Sequence, residues 1–396
     1  MLPPYANRME GIQGSVVRAL AKLLANPEII SFGGGNPAND SFPVDVVDAI
    51  CQDLLKSKGR QLLQYGITEG YEPLRESYLE YVAAPKGIQA TPDNVLIMTG
   101  AMQGLDLMCK LFINPGDVIM VENPTFAGAL QAFRIAQAKL VPVSMDEDGV
   151  ILDEFEEKIK EHKPKLFYCI PTFQNPSGRT LSLARRKKIV ELAQKYNFIV
   201  FEDDPYCDLR FRGEELPPMK TFDETGNVAL FHSFSKILSP GLRVGAMVTT
   251  AEIVDKAGIC KQCSDTHTAN LNQAIADQFL RQNYLKPHLE KIIPPYRVKM
   301  ETMIASVEKH FPAGTLCTKP DGGLFVWIEL PKEINMPEYH KRSINEAKVA
   351  FVPGMAFCVN NPSMGKRSLR FNFSNASPER IDVGVARLAE LLKEYM

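Results

Sequence analysis

The sequence has little that would place it in a membrane, on nucleic acid or in an oxidised compartment. Its longest apolar runs stay under ten residues, whereas a helix that spans a bilayer needs about twenty. Lysine plus arginine (45) nearly balances aspartate plus glutamate (47), for a formal net charge of −2, so no basic field for nucleic acid is present. Eight cysteines are scattered through the chain, at 51, 109, 169, 207, 260, 263, 317 and 358. That is sparse for a disulfide framework and suits a reducing compartment. Cys260 and Cys263, with His267 nearby, have the only metal-like spacing, but no second pair completes four ligands. They read as ordinary thiols, and no metal is expected. The start, Met1–Arg8, lacks the apolar core of a signal peptide, so a cytoplasmic location is expected, with neither membrane nor nucleic acid as partner. No internal repeat or low-complexity segment occurs. The single tryptophan, Trp327, reads as core.

What is present is an ordinary globular composition, 45% hydrophobic and 23% charged over 396 residues. That length supports a large core and two domains. Val16, Val17, Leu20, Leu23 and Leu24 recur at helical spacing, with Arg18 among them. Gly33–Gly34–Gly35 then marks a loop where backbone passes close to something. From residue 93 onward short apolar runs alternate with helical patterns. The runs are Val95–Met98, Val118–Val121, Leu140–Val143, Leu166–Ile170 and Phe198–Phe201. Such alternation indicates an α/β fold with a mostly parallel sheet, and ligands of these sheets gather beyond the carboxyl ends of the strands. A helical region is expected from about Ala251 to Leu280. Another, near 286–310, contains Pro294–Pro295, which should break or kink it. The passage to a smaller domain is placed there.

The most informative stretch is Ser233–Gly245, which follows the apolar run Val228–Phe231. The hydroxyls of Ser233 and Ser235, the amine of Lys236 and the guanidinium of Arg243 fall within eleven residues, and Pro240–Gly241 turns the chain. Hydroxyls and arginine are what a phosphate needs. The lysine beside them is either a counter-ion or a nucleophilic amine. To attack a carbonyl it must be partly deprotonated, which burial or neighbouring cations bring about. Alone, such a short run also fits a surface loop.

The full pattern S-x-S-K-x-x-x-P-G-x-R-x-G resembles the cofactor-lysine segment of the class I/II aminotransferases, a fold-type-I family that uses pyridoxal 5'-phosphate (PLP). The resemblance continues in order along nearly the whole chain. It includes Gln64–Arg75, Pro171–Gly178, Glu202–Tyr206, Gly322–Trp327, Val349–Phe357 and Ser368–Ser374. It implies a large PLP-binding α/β domain, a smaller α+β C-terminal domain and the following roles. Lys236 would carry the cofactor covalently and shuttle the proton. Ser233, Ser235 and Arg243 would hold the phosphate, together with the helix start at Ala101 and Met102. Phe126 would stack on the pyridine ring. Asp203 would pair with the ring nitrogen, being preferred over Asp204 because alternation points the latter elsewhere. Asn175 and Tyr206 would bond the phenolic oxygen. Arg370, with Asn175, would bind the substrate carboxylate, and the loop at Gly35 would border the substrate. Tyr65 would reach the partner subunit's cofactor in a homodimer.

The implied reaction is transfer of an amino group between an L-amino acid and a 2-oxo acid such as 2-oxoglutarate. The N-terminal layout is closest to the subgroup acting on 2-aminoadipate, kynurenine and aromatic or branched amino acids. Arg18 would pair with a distal substrate carboxylate if it faces the pocket; otherwise it is a surface arginine. The expected division is an arm at 1–40, a large domain at 41–290 and a small domain at 291–396. Two other readings share the scaffold. One is a PLP-dependent lyase or decarboxylase. The other is the effector half of an aminotransferase-like transcription regulator, disfavoured because the motifs begin by residue 30 and no basic DNA-binding stretch occurs.

Overall fold

The computed structural model describes residues 3–10, 12, 14 and 26–396. The helix expected at 16–24, and Arg18 within it, lies outside the described residues. Apart from the short strand β1 (Ile30–Ser31), the strands as far as residue 248 form one sheet. In chain order they are β2 (Val95–Met98), β3 (Val118–Asn123), β4 (Lys139–Asp146), β5 (Gly149–Val150), β6 (Leu166–Cys169), β7 (Ile199–Asp203), β8 (Val228–Ser233) and β9 (Gly245–Val248). Their spatial order is β2-β9-β8-β7-β6-β3-β4-β5. β4, β3, β6, β7 and β8 run parallel, while β9 opposes both of its neighbours. Every residue of β2, β6, β8 and β9 is buried. That is why these strands read as continuous apolar runs: both faces of the sheet are covered. Leu96, Met98, Phe231 and Met247 enter one core, and Val95, Ile97, Leu230 and Val248 enter the core on the opposite face.

This topology fixes where chemistry gathers. Cys169 is opposite Glu202, Asp203 opposite Phe231, and both Ser233 and Met98 are opposite Gly245. The carboxyl ends of β2, β6, β7 and β8, together with the beginning of the reversed β9, therefore lie along one edge.

A second, antiparallel sheet comprises β10 (Leu316–Cys317), β11 (Phe325–Glu329), β13 (Val352–Pro353) and β14 (Ser368–Asn372), in the order β10-β11-β14-β13. Between β11 and β13 in sequence, β12 (Val349–Ala350) pairs with β1 in parallel. The arm before residue 40 is thus tied to the C-terminal part of the chain. Trp327 is buried against Phe357.

One expectation about helices is corrected in part and another takes a more definite form. Leu285–His310 is one continuous helix that includes Pro294 and Pro295, so the prolines do not break it. They deprive the carbonyls of Glu290 and Lys291 of their usual donors. All four residues are on the exposed side, where water serves instead, while Ile292, Tyr296, Met300 and Met303 anchor the buried side. The boundary expected at 291 falls inside this helix. The region 251–280 is two helices, Ala251–Gln262 and Asn270–Arg281, separated by a turn in which Thr266 has φ 63°.

The turn after β6 is pinned from below by Arg186, a fully buried side chain of the helix Leu183–Tyr196. Its guanidinium donates to the carbonyls of Leu181, Pro171 and Pro217 and to Thr172 Oγ1, at 3.0–3.1 Å. Arg186→Met keeps the volume and takes the donors from the Leu181 and Pro217 carbonyls and from Thr172 Oγ1, while the Pro171 carbonyl keeps the Leu181 N–H. It should cost about 3 kcal/mol of stability, read as a lower urea midpoint in equilibrium unfolding.

Candidate active site

Along that sheet edge lies a cavity of about 900 Å³. Lys236 follows β8 and enters it from the sheet side. Its Nζ donates to the Gly35 carbonyl at 2.8 Å and lies 6.0 Å from the centre of the Tyr206 ring. Burial, with the charges of Arg370 and Arg243, pushes the amine down to about 8, and Asp203 pulls weakly the other way. A lysine in this state is a competent base and nucleophile near neutral pH.

The three consecutive carboxylates at the end of β7 go three ways. Glu202 accepts the backbone N–H groups of Met219 and Lys220 at 2.7 and 2.9 Å. Asp204 is buried and does not line the cavity. Asp203 does line it. Tyr168 donates its hydroxyl to Asp203 Oδ2 at 2.8 Å, while Oδ1 is buried without a hydrogen-bond partner among the described residues. Burial raises the Asp203 carboxyl to about 7, with Asp204 adding to the effect and Tyr168 and Lys236 opposing it. An orphaned acceptor at such cost calls for a donor, preferably a cationic one, from within the cavity.

Hydroxyls, a guanidinium and a helix start also line the cavity. Ser233, Ser235 and Arg243 line it, with Ala101 and Met102 at the start of the helix Ala101–Phe112. First-turn N–H groups of a helix have no intrahelical acceptor and favour negative charge. Gly100, with φ 77°, packs directly beneath Arg243. A Cβ there would meet the guanidinium at 2.3 Å, so only glycine fits. Between the two ends is Phe126, whose ring covers Gly128 so closely that a Cβ there would be 2.5 Å away.

Arg370, on β14, forms the third wall and is 2% exposed. Its guanidinium lies between the rings of Phe325 and Phe357, at 4.4 and 5.0 Å from their centres. It donates to Asn175 Oδ1 at 3.0 Å and to the carbonyls of Gly33 and Gly34 at 2.8 and 3.0 Å. Asn175 is held in turn through its neighbour Gln174. The Gln174 amide donates to Glu122 Oε2 at 2.9 Å and to the Pro124 carbonyl at 2.7 Å.

Of the residues expected from sequence, Gly35, Ala101, Met102, Phe126, Asn175, Asp203, Tyr206, Ser233, Ser235, Lys236, Arg243 and Arg370 all line this one cavity. Tyr65 does not. It is 82% exposed, with its ring edge-on to His267. Sequence reasoning missed Tyr168 and Phe357. Tyr168 is an inward residue of a buried strand and looks like core. Phe357 is the aromatic of the Val349–Phe357 segment, a usable signal. Cys260, Cys263 and His267 do not assemble as ligands. Among the described residues, Cys207, Asp208 and His232 do approach one another, but the Lys86 ammonium occupies Asp208 at 2.8 Å. No described helix is long and apolar enough to cross a membrane.

Residues 27–388 match the family described as aminotransferase class I and II. Aromatic-amino-acid aminotransferase 1 of Thermococcus litoralis is 39% identical over 99% of this chain and 94% of its own length. The 2-aminoadipate transaminase of Thermus thermophilus is 38% identical over 96% of this chain and 94% of its own. A crystal structure of Pyrococcus horikoshii kynurenine aminotransferase, in complex with PMP, KYN as substrates and KYA as products, superposes with a TM-score of 0.94. It is 38% identical, covering 98% of this chain and 97% of that one.

The state of Lys236 can be measured in the chain freed of bound small molecules. The pH dependence of acylation at Lys236, followed by peptide mass spectrometry, should have its midpoint near 8. Arg370→Met removes the larger of the two cationic contributions. The protonated amine then becomes easier to hold, and the midpoint should rise. A midpoint unmoved by this change would show that the Arg370 charge does not act on the amine.

Proposed function

The chain belongs to the class I and II aminotransferases, and on that premise we propose that it moves an amino group between an aromatic or 2-aminoadipate-type L-amino acid and a 2-oxo acid such as 2-oxoglutarate, with PLP as cofactor. The observation that carries this reading is one cavity containing a lysine amine pushed down to about 8, a buried carboxylate oxygen without a partner among the described residues, and a buried arginine.

The residues present fit the cofactor at both ends. Ser233, Ser235, Arg243 and the helix start at Ala101–Met102 suit a phosphate. Asp203 Oδ1 suits a protonated ring nitrogen, whose charge would bring the carboxyl back down from about 7. Phe126 would cover the ring face, and Asn175 with Tyr206 would bond its phenolic oxygen. PLP, when bound, supplies a cationic ring that takes up the electron pair released at the donor's Cα.

The chain's own groups account for the rest. Lys236 would hold the cofactor covalently until the donor amine displaces it. Its Nζ would then accept the proton from Cα, the work its lowered pKa prepares it for. Arg370 presents a fork of donors that matches the substrate carboxylate, and its flanking rings and Asn175 keep that fork from turning. Met102, Leu105, Phe126, Ile170 and Phe357 make much of the wall apolar, which supports an aromatic or long-chain side chain. The names of the Thermococcus and Thermus relatives support the same choice. Arg18 is assigned to a distal carboxylate on its position in the sequence alone.

A second copy of the chain is assigned as partner. Leu63, Tyr65 and Ile67 are 74%, 82% and 54% exposed, a density of apolar side chains that suits an interface. Tyr65 would reach the partner's phosphate from it. A domain division near residue 40 and within the helix Leu285–His310 completes the reading.

The test mixes the PLP-loaded protein singly with 2-aminoadipate, phenylalanine, kynurenine, leucine and glutamate, following the cofactor spectrum and 2-oxo acid release. Transamination predicts a 2-oxo acid from the preferred donors and a rate lowered at least about 10²–10⁴-fold in Lys236→Ala. Release of carbon dioxide and an amine would assign a decarboxylase instead. Sedimentation should give a dimer, and replacing both Leu63 and Ile67 with serine should shift it towards monomer.

A further inference from the structure

Directly behind the anion-binding end is a polar cluster that the reaction as described does not use. Lys261 is in the helix Ala251–Gln262, and its side chain is 0% exposed. A wholly buried ammonium is costly unless each donor is met. Here all are met: Nζ donates to Gln103 Oε1 at 2.8 Å, to Asp265 Oδ1 and Oδ2 at 2.8 and 3.0 Å, and to Thr268 Oγ1 at 3.1 Å.

The same three acceptors converge on Thr99. Gln103 Oε1 accepts the Thr99 backbone N–H at 2.9 Å. Asp265 Oδ2 accepts the Thr99 hydroxyl at 2.6 Å, and Thr268 Oγ1 is 3.0 Å from it. Thr99 is thus gripped at both its main chain and its side chain by groups that Lys261 holds together. On its other side, the Thr99 carbonyl accepts from the Arg243 guanidinium at 3.4 Å, and the next residue is the Gly100 on which Arg243 rests.

We propose that Lys261, through Gln103, Asp265 and Thr268, is a positioning residue that fixes the Thr99–Gly100–Ala101 turn and Arg243 for the phosphate group of the cofactor. The argument is geometric. A phosphate site made of main-chain N–H groups and a guanidinium is only as good as the fixity of that main chain. Ala101 has no hydroxyl to add a direct bond, so fixity must come from behind. Lys261 and Asp265 form a close pair and contribute little net field. Their effect is on placement, and it should be felt at the phosphate end alone. The inference rests on the reading that Ser233, Ser235, Arg243 and the 100–101 turn bind phosphate.

The test titrates the full chain, stripped of cofactor, with PLP and with pyridoxal, which lacks the phosphate. Bound ligand is read by absorbance. Wild type should bind PLP far more tightly than pyridoxal. Lys261→Met and Thr99→Val should each weaken PLP roughly tenfold or more, the size of a lost buried hydrogen bond to a charged group. Pyridoxal affinity should stay as in wild type, and Thr99→Ser should restore PLP binding. Equal losses for both ligands would reduce the cluster to general stability and overturn the proposal, as would an unchanged preference for PLP. A wild type that does not distinguish the two ligands would instead overturn the phosphate reading itself. If Lys261→Met fails to fold, Thr99→Val, which removes one hydroxyl, decides the matter.

Discussion

Arg370 is the interaction on which the rest of the site depends. A guanidinium cannot lose its charge or bend its fork, so wherever it is buried, the surrounding chain must conform to it. Here three separate parts of the chain do so. The arm supplies the Gly33 and Gly34 carbonyls, the turn after β6 supplies Asn175, and the small sheet supplies Phe325 beside β14 itself. The same charge helps keep Lys236 from protonating fully. One side chain therefore joins the two sheets and, after burial itself, contributes most to lowering the pKa of the amine between them.

Burial is used here to raise the free energy of particular groups rather than to hide them. Glu122 and Asp203 are both fully enclosed, and desolvation lifts their carboxyls to about 8 and about 7. Glu122 accepts the Ile170 N–H and the Gln174 amide, both at Oε2, and so sets a turn. Its Oε1, like Asp203 Oδ1, is buried with no hydrogen-bond partner among the described residues. What separates the two carboxylates is that Asp203 lines the cavity and Glu122 does not.

Much of this was legible in the sequence, for a physical reason. Amine, carboxylate, guanidinium and hydroxyls are required by phosphate and amine chemistry, and a parallel sheet must collect them at one edge. The family resemblance singles out Asp203, and strand alternation agrees in setting Asp204 aside; of the two, only Asp203 lines the cavity. What was not legible depends on contacts far apart in sequence. Tyr168 is indistinguishable from core until its hydroxyl is seen 2.8 Å from Asp203. Lys261 reads as a surface lysine beside two cysteines, because Gln103 and Thr99 are some 160 positions away. The prolines at 294 and 295 mislead because their cost falls on carbonyls exposed to water.

The carbonyls that now occupy Arg370 also set an entry condition. Gly33 and Gly34 offer neutral oxygens at 2.8 and 3.0 Å. On the reading that Arg370 receives the substrate, an incoming group would exchange with them, and the exchange would be favourable only for an acceptor that binds a guanidinium more strongly than a peptide carbonyl does. An ionised carboxylate meets that condition; an ester, an amide or a simple amine does not. On that reading the glycine loop would act as a resident competitor, screening molecules by charge before the apolar wall can judge them by shape. The strength of that competition would follow how firmly the arm is held, by the β1–β12 pairing and by the Asn372 N–H of β14 on the Phe32 carbonyl.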